Sequence, residues 1–268
     1  MVNNIIVYFG GKGTMFKKII NHFPDPSTYN TYIEPFGGSY GIGLKLYPYP
    51  EIEIYNDLEQ NVYSLFKVIS DKFLFEEFKQ KCDLVHYSED LRKDYKLLLK
   101  QDNLSLIDRS FYFFYVNRTS HNGVEGMKIN TIIRRKMSKC ISDMLSTIDN
   151  LYDLHQRLSK VIILNRDGIE LIKKYKDREN VFIYMDPPYT LDRRTSVRYK
   201  VDMTNEQQIE LISTIIDSKC KILLSSYKND LYEKLIGDDK WKRIDFEVKT
   251  ITGNFKPKTK IESLYKNY

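Results

Sequence analysis

The chain has 268 residues, enough for one α/β domain with a smaller insertion and a full hydrophobic core. Its formal net charge is only +6; no apolar run reaches the roughly 18 residues of a membrane span, and the N-terminus lacks a signal peptide's charged region and cleavage site, so a cytoplasmic protein is expected. Cys82, Cys140, Cys220 and the four scattered histidines have neither disulfide-framework nor metal-ligand spacing, so no disulfide scaffold, metal or membrane is expected.

Ile5-Ile6-Val7-Tyr8-Phe9 reads as a strand or extended segment entering the tight, positively charged turn Gly10-Gly11-Lys12-Gly13, with a helix then reaching about Phe23. A P-loop requires Ser or Thr directly after its lysine; here Gly13 intervenes, which excludes a kinase or ATPase of that kind. Past Pro24 and Pro26, the stretch from Thr31 to Leu44 reads as a strand, a glycine-rich bend and a helix start. Such a segment brings backbone N–H groups and a helix N-terminus against a nucleotide-like ligand. About twenty residues after the glycines, a strand from Glu51 to Tyr55 ends in Asn56-Asp57, the spacing at which a carboxylate meets ribose hydroxyls. In register, these segments describe a pocket for an adenosine-containing cofactor.

Residues 58 to about 116 read as helices. Leu65, Phe66, Val68, Ile69, Phe73, Phe75 and Phe78 recur with helical spacing, and Ser88 followed by Glu89 and Asp90 starts another helix through about Leu99. Phe111 to Val116 is too apolar to be left exposed and is expected in the core. Asn117-Arg118-Thr119-Ser120-His121-Asn122-Gly123 follows as a polar turn rich in groups that address base edges. Ile141, Met144, Leu145, Ile148, Leu151, Tyr152 and Leu158 then share one helical face, and Val161 to Leu164 predicts a buried strand ending in Asn165-Arg166-Asp167.

Val181 to Met185, five apolar or aromatic residues stopped by a carboxylate and two prolines, reads as a strand buried on both faces of a parallel sheet. Its carboxyl end, where open α/β sheets place ligands, carries Asp186-Pro187-Pro188-Tyr189. The prolines fix φ and delete two N–H donors, so Asp186 and the Pro187 carbonyl become a rigid pair of acceptors beside the Tyr189 ring. A flat group bearing NH2, such as a nucleobase amine, suits that arrangement; a plain surface turn after a core strand is the alternative. Asp57, Asp167 and Asp186 then stand at one sheet edge, which is costly without a ligand to pair with. Thr204 and Gln207 predict a capping box for a helix to about Asp217. Cys220 to Leu224 predicts a strand ending in Ser225-Ser226-Tyr227, and Ile261 to Tyr265 a last strand.

Positive charge is clustered. Lys128, Arg134, Arg135, Lys136 and Lys139 against Glu125 give residues 123–140 an excess of four. Arg193, Arg194, Arg198 and Lys200 against Asp192 and Asp202 give residues 190–203 an excess of two, and residues 249–260 hold four lysines and no acid. Such clusters are the footprint of a polyanion binder; solvated lysine-rich loops are the plainer reading.

With these residues in this order, the chain resembles the Dam-like family of adenine-specific DNA methyltransferases nearly end to end. Phe9-Gly10-Gly11-Lys12 is similar to the family's N-terminal motif, Glu34-Pro35-Phe36-Gly37-Gly38 to its cofactor loop, and Asn56-Asp57 to its ribose-binding strand end. Asn117-Arg118 through Asn122-Gly123 resembles its Asn-Arg…Asn-Gly segment and Asp186-Pro187-Pro188-Tyr189 its catalytic motif, in the order of the alpha subgroup. The resemblance implies a Rossmann-like α/β methyltransferase fold with a mostly parallel sheet. Residues 1–57 and 161–268 would form the catalytic domain, and 58–160 a smaller helical target-recognition region.

The resemblance also implies S-adenosylmethionine as cofactor and double-stranded DNA as partner. Phe9, Gly11 and Lys12 would lie near the cofactor's methionine end, Glu34, Phe36 and Gly38 along it, Asp57 on its ribose and Asp167 with Gly168 at its adenine amine. Asp186, with Pro187 and Tyr189, would face a flipped-out adenine, and Asp186 also the cofactor. Asn117, Arg118, His121 and Asn122 would address the DNA, and Lys128, Arg134, Arg135, Lys136, Lys139, Arg193, Arg194 and Arg198 its phosphates. Tyr40 departs from the family's frequent glycine. His121 and Gly126 stand where GATC-reading members carry an aromatic and an arginine, so GATC recognition is not carried over. Serine before Pro-Pro would mark cytosine-N4 methylation, so Asp186 favours adenine. An RNA adenine methyltransferase and a non-catalytic DNA-binding homologue are the other readings, the latter opposed by intact Lys12, Asp57, Asp186 and Tyr189.

Overall fold

A computed structural model describes residues 4–8, 12, 15–123, 126–188, 203–227, 230–234, 240–250 and 258–268. Its strands are β1 (Thr31–Glu34), β2 (Ile52–Asn56), β3 (Ile133–Arg134), β4 (Met137–Ser138), β5 (Ile162–Leu164), β6 (Val181–Met185), β7 (Lys221–Tyr227), β8 (Lys242–Thr250) and β9 (Lys258–Lys266). The chain forms two compact units, residues 1–18, 38–47 and 57–165 in the first and 19–37, 48–56 and 166–268 in the second.

The second unit holds most of the main sheet, in the order β2-β1-β6-β7-β9-β8. The first four strands run parallel and β9 is antiparallel to both its neighbours, a Rossmann-like arrangement. All five residues of β6 are buried, as its unbroken apolar run demands. Phe182 is packed by Phe23 at 4.6 Å between ring centroids, Tyr29 at 5.2 Å and Tyr32 at 5.5 Å, an aromatic cluster on the buried strand. Register pairs Glu34 with Tyr55 and Ile33 with Ile183, so β1, β2 and β6 end at the same carboxyl edge. No strand is expected from sequence over 242–250, yet β8 pairs there along the whole of β9. Its signal is the alternation of Ile244, Phe246 and Val248 with Arg243, Asp245 and Glu247.

The first unit is helical, with helices Gln60–Ser70, Lys72–Leu84, Glu89–Leu98, Leu106–Thr119, Lys139–Asp149 and Leu151–Leu158. Ser88 caps the third of these through the Leu91 N–H, as expected. Phe66, Phe75, Phe78, Phe111, Phe114 and Tyr115 are buried. Three expectations shift. The helix through Phe111 continues to Thr119, so the polar turn begins only at His121. The face from Ile141 to Leu158 is two helices that meet at Asn150. Ile162 of β5 is 49% exposed rather than buried.

Candidate active site

In the second unit, β6 delivers a half-buried Asp186 to the carboxyl edge, followed by Pro187 and Pro188. The Pro188 carbonyl accepts the Nε2 of Gln208 at 2.6 Å. Two further carboxylates are buried nearby in the unit. Glu34 is 3% exposed and accepts the Tyr32 hydroxyl at 2.7 Å; Glu262 accepts the Ser225 hydroxyl at 2.8 Å. Tyr184 reports on all three: burial first, then the charges of Asp186, Glu34 and Glu262, push its hydroxyl well above the ordinary phenol range. It stays neutral, and the surrounding negative potential favours a cation.

The loop after β1 is stapled by Asn56, a residue to which sequence reasoning gives no separate task. Asn56 is fully buried; its Nδ2 donates to the carbonyls of Pro35 at 2.8 Å and Arg166 at 2.9 Å, and its Oδ1 accepts the Arg166 N–H at 2.9 Å. The next residue, Asp167, caps helix Gly168–Tyr175 by accepting the N–H groups of Ile169 and Glu170. Gly168 lies against Phe36, where a Cβ would come within 2.5 Å of the ring. Thus Phe36, Asp167 and Gly168, named separately from sequence, are neighbours.

In the first unit, Asp57 is 8% exposed and accepts the Gly38 N–H at 2.7 Å and the Glu59 N–H at 2.8 Å. Burial outweighs these two donors and lifts its carboxyl to about 6. Gly38 has φ +49° and packs under the Tyr8 ring, so only glycine fits. Lys12 is buried at 6% exposure. Tyr40 also has positive φ, +53°, which accounts for glycine being the easier residue there. Its fully buried ring covers Gly43, where a Cβ would come within 2.2 Å of it. Tyr40→Gly should relieve about 1–2 kcal/mol of backbone strain but forfeit about 3–5 kcal/mol of ring packing. A net loss of stability is expected by urea denaturation; equal or greater stability would show the ring to be dispensable.

The segment expected to meet DNA divides into inward and outward residues. Asn117 is 4% exposed, and its amide is spent on Val7, accepting that residue's N–H at 2.8 Å and donating to its carbonyl at 2.8 Å. Gly123, with φ +78°, closes on the same Val7 carbonyl. Asn117 is therefore turned inward to the N-terminal segment rather than out to base edges, while His121 is exposed. Arg118 is half-buried; its Nη2 reaches the Asp143 carbonyl at 3.4 Å and its Nε has no acceptor. It lines a cavity of about 250 Å³ together with Arg134, Asn4, Ser146 and Asn150. Arg135 and Lys136 form the turn between β3 and β4 with φ of +52° and +60°. Their neighbours on the following helix take up charge. Asp143 binds Arg134 at 2.6 Å and Lys139 at 2.5 Å, with Lys128 at 3.9 Å, and Asp149 faces Arg135 at 3.8 Å. Against the upward push of burial, Lys139 and Arg134 hold the Asp143 carboxyl below the usual range.

Phe9, Gly11, Tyr189, Arg193, Arg194, Arg198 and the side chain of Asn122 lie outside the described residues, as does most of the lysine-rich stretch 249–260. Among the described residues, no helix is long and apolar enough to cross a membrane, and no group of three or more His, Cys, Asp or Glu is placed to hold a metal ion. A family model described as D12 class N6 adenine-specific DNA methyltransferase matches residues 8–250. No curated protein matches the chain.

Proposed function

Because the chain belongs to the D12 class of N6 adenine-specific DNA methyltransferases, we propose that it carries a methyl group from S-adenosylmethionine to an adenine flipped out of double-stranded DNA in the cytoplasm, with Asp186 and the Pro187 carbonyl gripping the amine. The observation that supports this most is Asp186 at the carboxyl end of a fully buried β6, followed by two prolines. Adenine's exocyclic nitrogen attacks poorly because its lone pair is delocalised into the ring. Accepting both of its N–H bonds raises electron density on nitrogen and lets it pyramidalise. A base inside a duplex cannot enter a pocket at a strand tip, so it is turned out, with Tyr189 stacking on it at about 1–3 kcal/mol. The proton that the amine then sheds goes to Asp186 or to water.

The residues present suit a cationic, adenosine-containing cofactor, which when bound supplies an electrophilic methyl group on a sulfonium. In the second unit, Glu34, Asp186 and Glu262 provide negative potential, Phe36 an aromatic plane, and Asp167 with Gly168 an acceptor at the adenine amine. In the first, Asp57 is the acceptor for ribose hydroxyls, beside the Gly38 turn, and Lys12 remains assigned to the methionine end. Incubation with labelled S-adenosylmethionine should put N6-methyladenine into duplex DNA; label in RNA, or on cytosine N4, would overturn the assignment.

We assign target recognition to the helical region. Lys128, Arg134, Arg135, Lys136 and Lys139 would hold phosphates, joined by Arg193, Arg194 and Arg198. Arg118 and Arg134 offer guanidinium groups to one cavity, and His121 with Asn122 would fill the space the adenine vacates. Replacing Arg134 and Arg135 by alanine should weaken duplex binding and flatten the logarithmic salt slope by about one to two. Less than two is expected if Asp143 retains part of the Arg134 charge. Unchanged affinity and slope would place the DNA surface elsewhere.

A further inference from the structure

Pro187 and Pro188 carry no N–H groups, so their own peptide units can be fastened only through their carbonyls. We propose that Gln208 is a positioning residue for methyl transfer: by binding the Pro188 carbonyl it keeps the Asp186 carboxylate and the Pro187 carbonyl aimed at the adenine amine. This rests on the reading of Asp186 and Pro187 given above.

Between Asp186 and residue 189 the proline rings fix two φ angles and the peptide planes fix ω, which leaves the three ψ angles of Asp186, Pro187 and Pro188 as the soft torsions, the first two narrowed by the proline that follows each. The buried strand β6 holds one end. A hydrogen bond at the Pro188 carbonyl holds the other and restrains all three torsions, without using the Pro187 carbonyl that the substrate needs. Gln208 is suited to that task. It lies in helix Asn205–Ile215, which starts at the capping box of Thr204 and Gln207, and it is fully buried. Its Nε2 donates to the Pro188 carbonyl at 2.6 Å, and its Oε1 accepts the Tyr232 hydroxyl. Tyr232 is itself fully buried, and burial, aided by Tyr265 and Asp186, keeps that hydroxyl protonated. An amide turned the other way would set its oxygen against the Pro188 carbonyl, so one orientation alone makes both bonds.

Gln208→Glu tests this with almost no change of shape. A protonated glutamic acid can donate to the Pro188 carbonyl while accepting from Tyr232; the ionised form has no donor and repels that carbonyl. Burial raises the pKa of the new carboxyl, bringing its titration into an accessible range. Relative to wild type at the same pH, kcat of Gln208→Glu should be lower by about 10–100-fold in mildly alkaline buffer and recover severalfold in mildly acidic buffer. The KM for DNA and the Kd for S-adenosylmethionine should stay within about threefold of wild type. Gln208→Leu, which bonds at no pH, should show the low kcat throughout. A pH-independent kcat ratio for Gln208→Glu, or wild-type kcat in Gln208→Leu, overturns the proposal. If the leucine variant does not fold, the ratio in the glutamate variant decides alone. An active Asp186→Ala enzyme would instead remove the reading on which the proposal rests, so the two failures are distinguishable.

Discussion

Asp186→Ala is expected to lower the rate of methyl transfer at least about a thousandfold while S-adenosylmethionine binding stays within a few fold of wild type. The side chain contributes twice. In the role proposed for it, it would accept one N–H of the amine, directing the lone pair outward, and its charge would stabilise the positive charge that develops on nitrogen as the methyl group arrives. Asp186→Asn keeps one acceptor oxygen but no charge and brings an NH2 group toward another, so an intermediate loss is expected. Neither change should unfold the second unit, because β6 buries its five preceding residues whatever follows them, and Glu34 and Glu262 keep the local potential negative. Single-turnover rates are the measurement of choice, since slow product release could hide a large change in chemistry. An alanine variant within tenfold of wild type would remove Asp186 from the reaction.

What could be read in the chain beforehand was what local rules govern. The apolar run of β6, the break at its prolines and the capping box at Thr204 and Gln207 depend on residues within a few positions of each other, and all three are present as expected. Longer reach was harder. The Asn-Arg…Asn-Gly segment reads as an outward polar turn, but Asn117 bonds to the backbone of Val7, 110 positions away, and no local pattern announces that. Likewise the excess of charge in residues 123–140 is reduced by Asp143 and Asp149, which lie just beyond the window and return to it because a helix brings Asp143 one turn above Lys139. β8 is less legible for another reason: its apolar and charged residues alternate over a short stretch only, and its pairing partner β9 is a separate strand that no local pattern links to it. At the candidate site Glu34, Asp57, Asp167 and Asp186 stand out in the sequence one by one, whereas Glu262 and the neutral supports do not. Asn56, Tyr184 and Gln208 belong to residue types that are common everywhere, and only their partners single them out.

The electrostatics of Asp57 lead to the second large expectation, a loss of cofactor affinity of about a hundredfold in Asp57→Ala together with a defined pH dependence in the wild-type protein. The carboxyl is raised to about 6, chiefly by burial and against the pull of the Glu59 and Gly38 N–H groups. In the unfolded chain it titrates near 4. Between those values the folded protein holds a proton that the unfolded chain has released, so the group favours folding fully below about pH 4 and loses that contribution as pH rises through about 6. Two units correspond to about 3 kcal/mol. Asp57→Asn does not titrate, so the stability of wild type minus that of the asparagine variant should fall by roughly this amount between pH 4 and pH 7.5 and be flat above. Cofactor binding should run the opposite way, tightening as pH rises through about 6, because in the role proposed for Asp57 the ionised carboxylate would be the stronger acceptor for two ribose hydroxyls. Equilibrium denaturation and cofactor titration at the same series of pH values test both halves. A stability difference independent of pH would place the Asp57 titration elsewhere, and an alanine variant that binds the cofactor as tightly as wild type would take Asp57 out of the binding site.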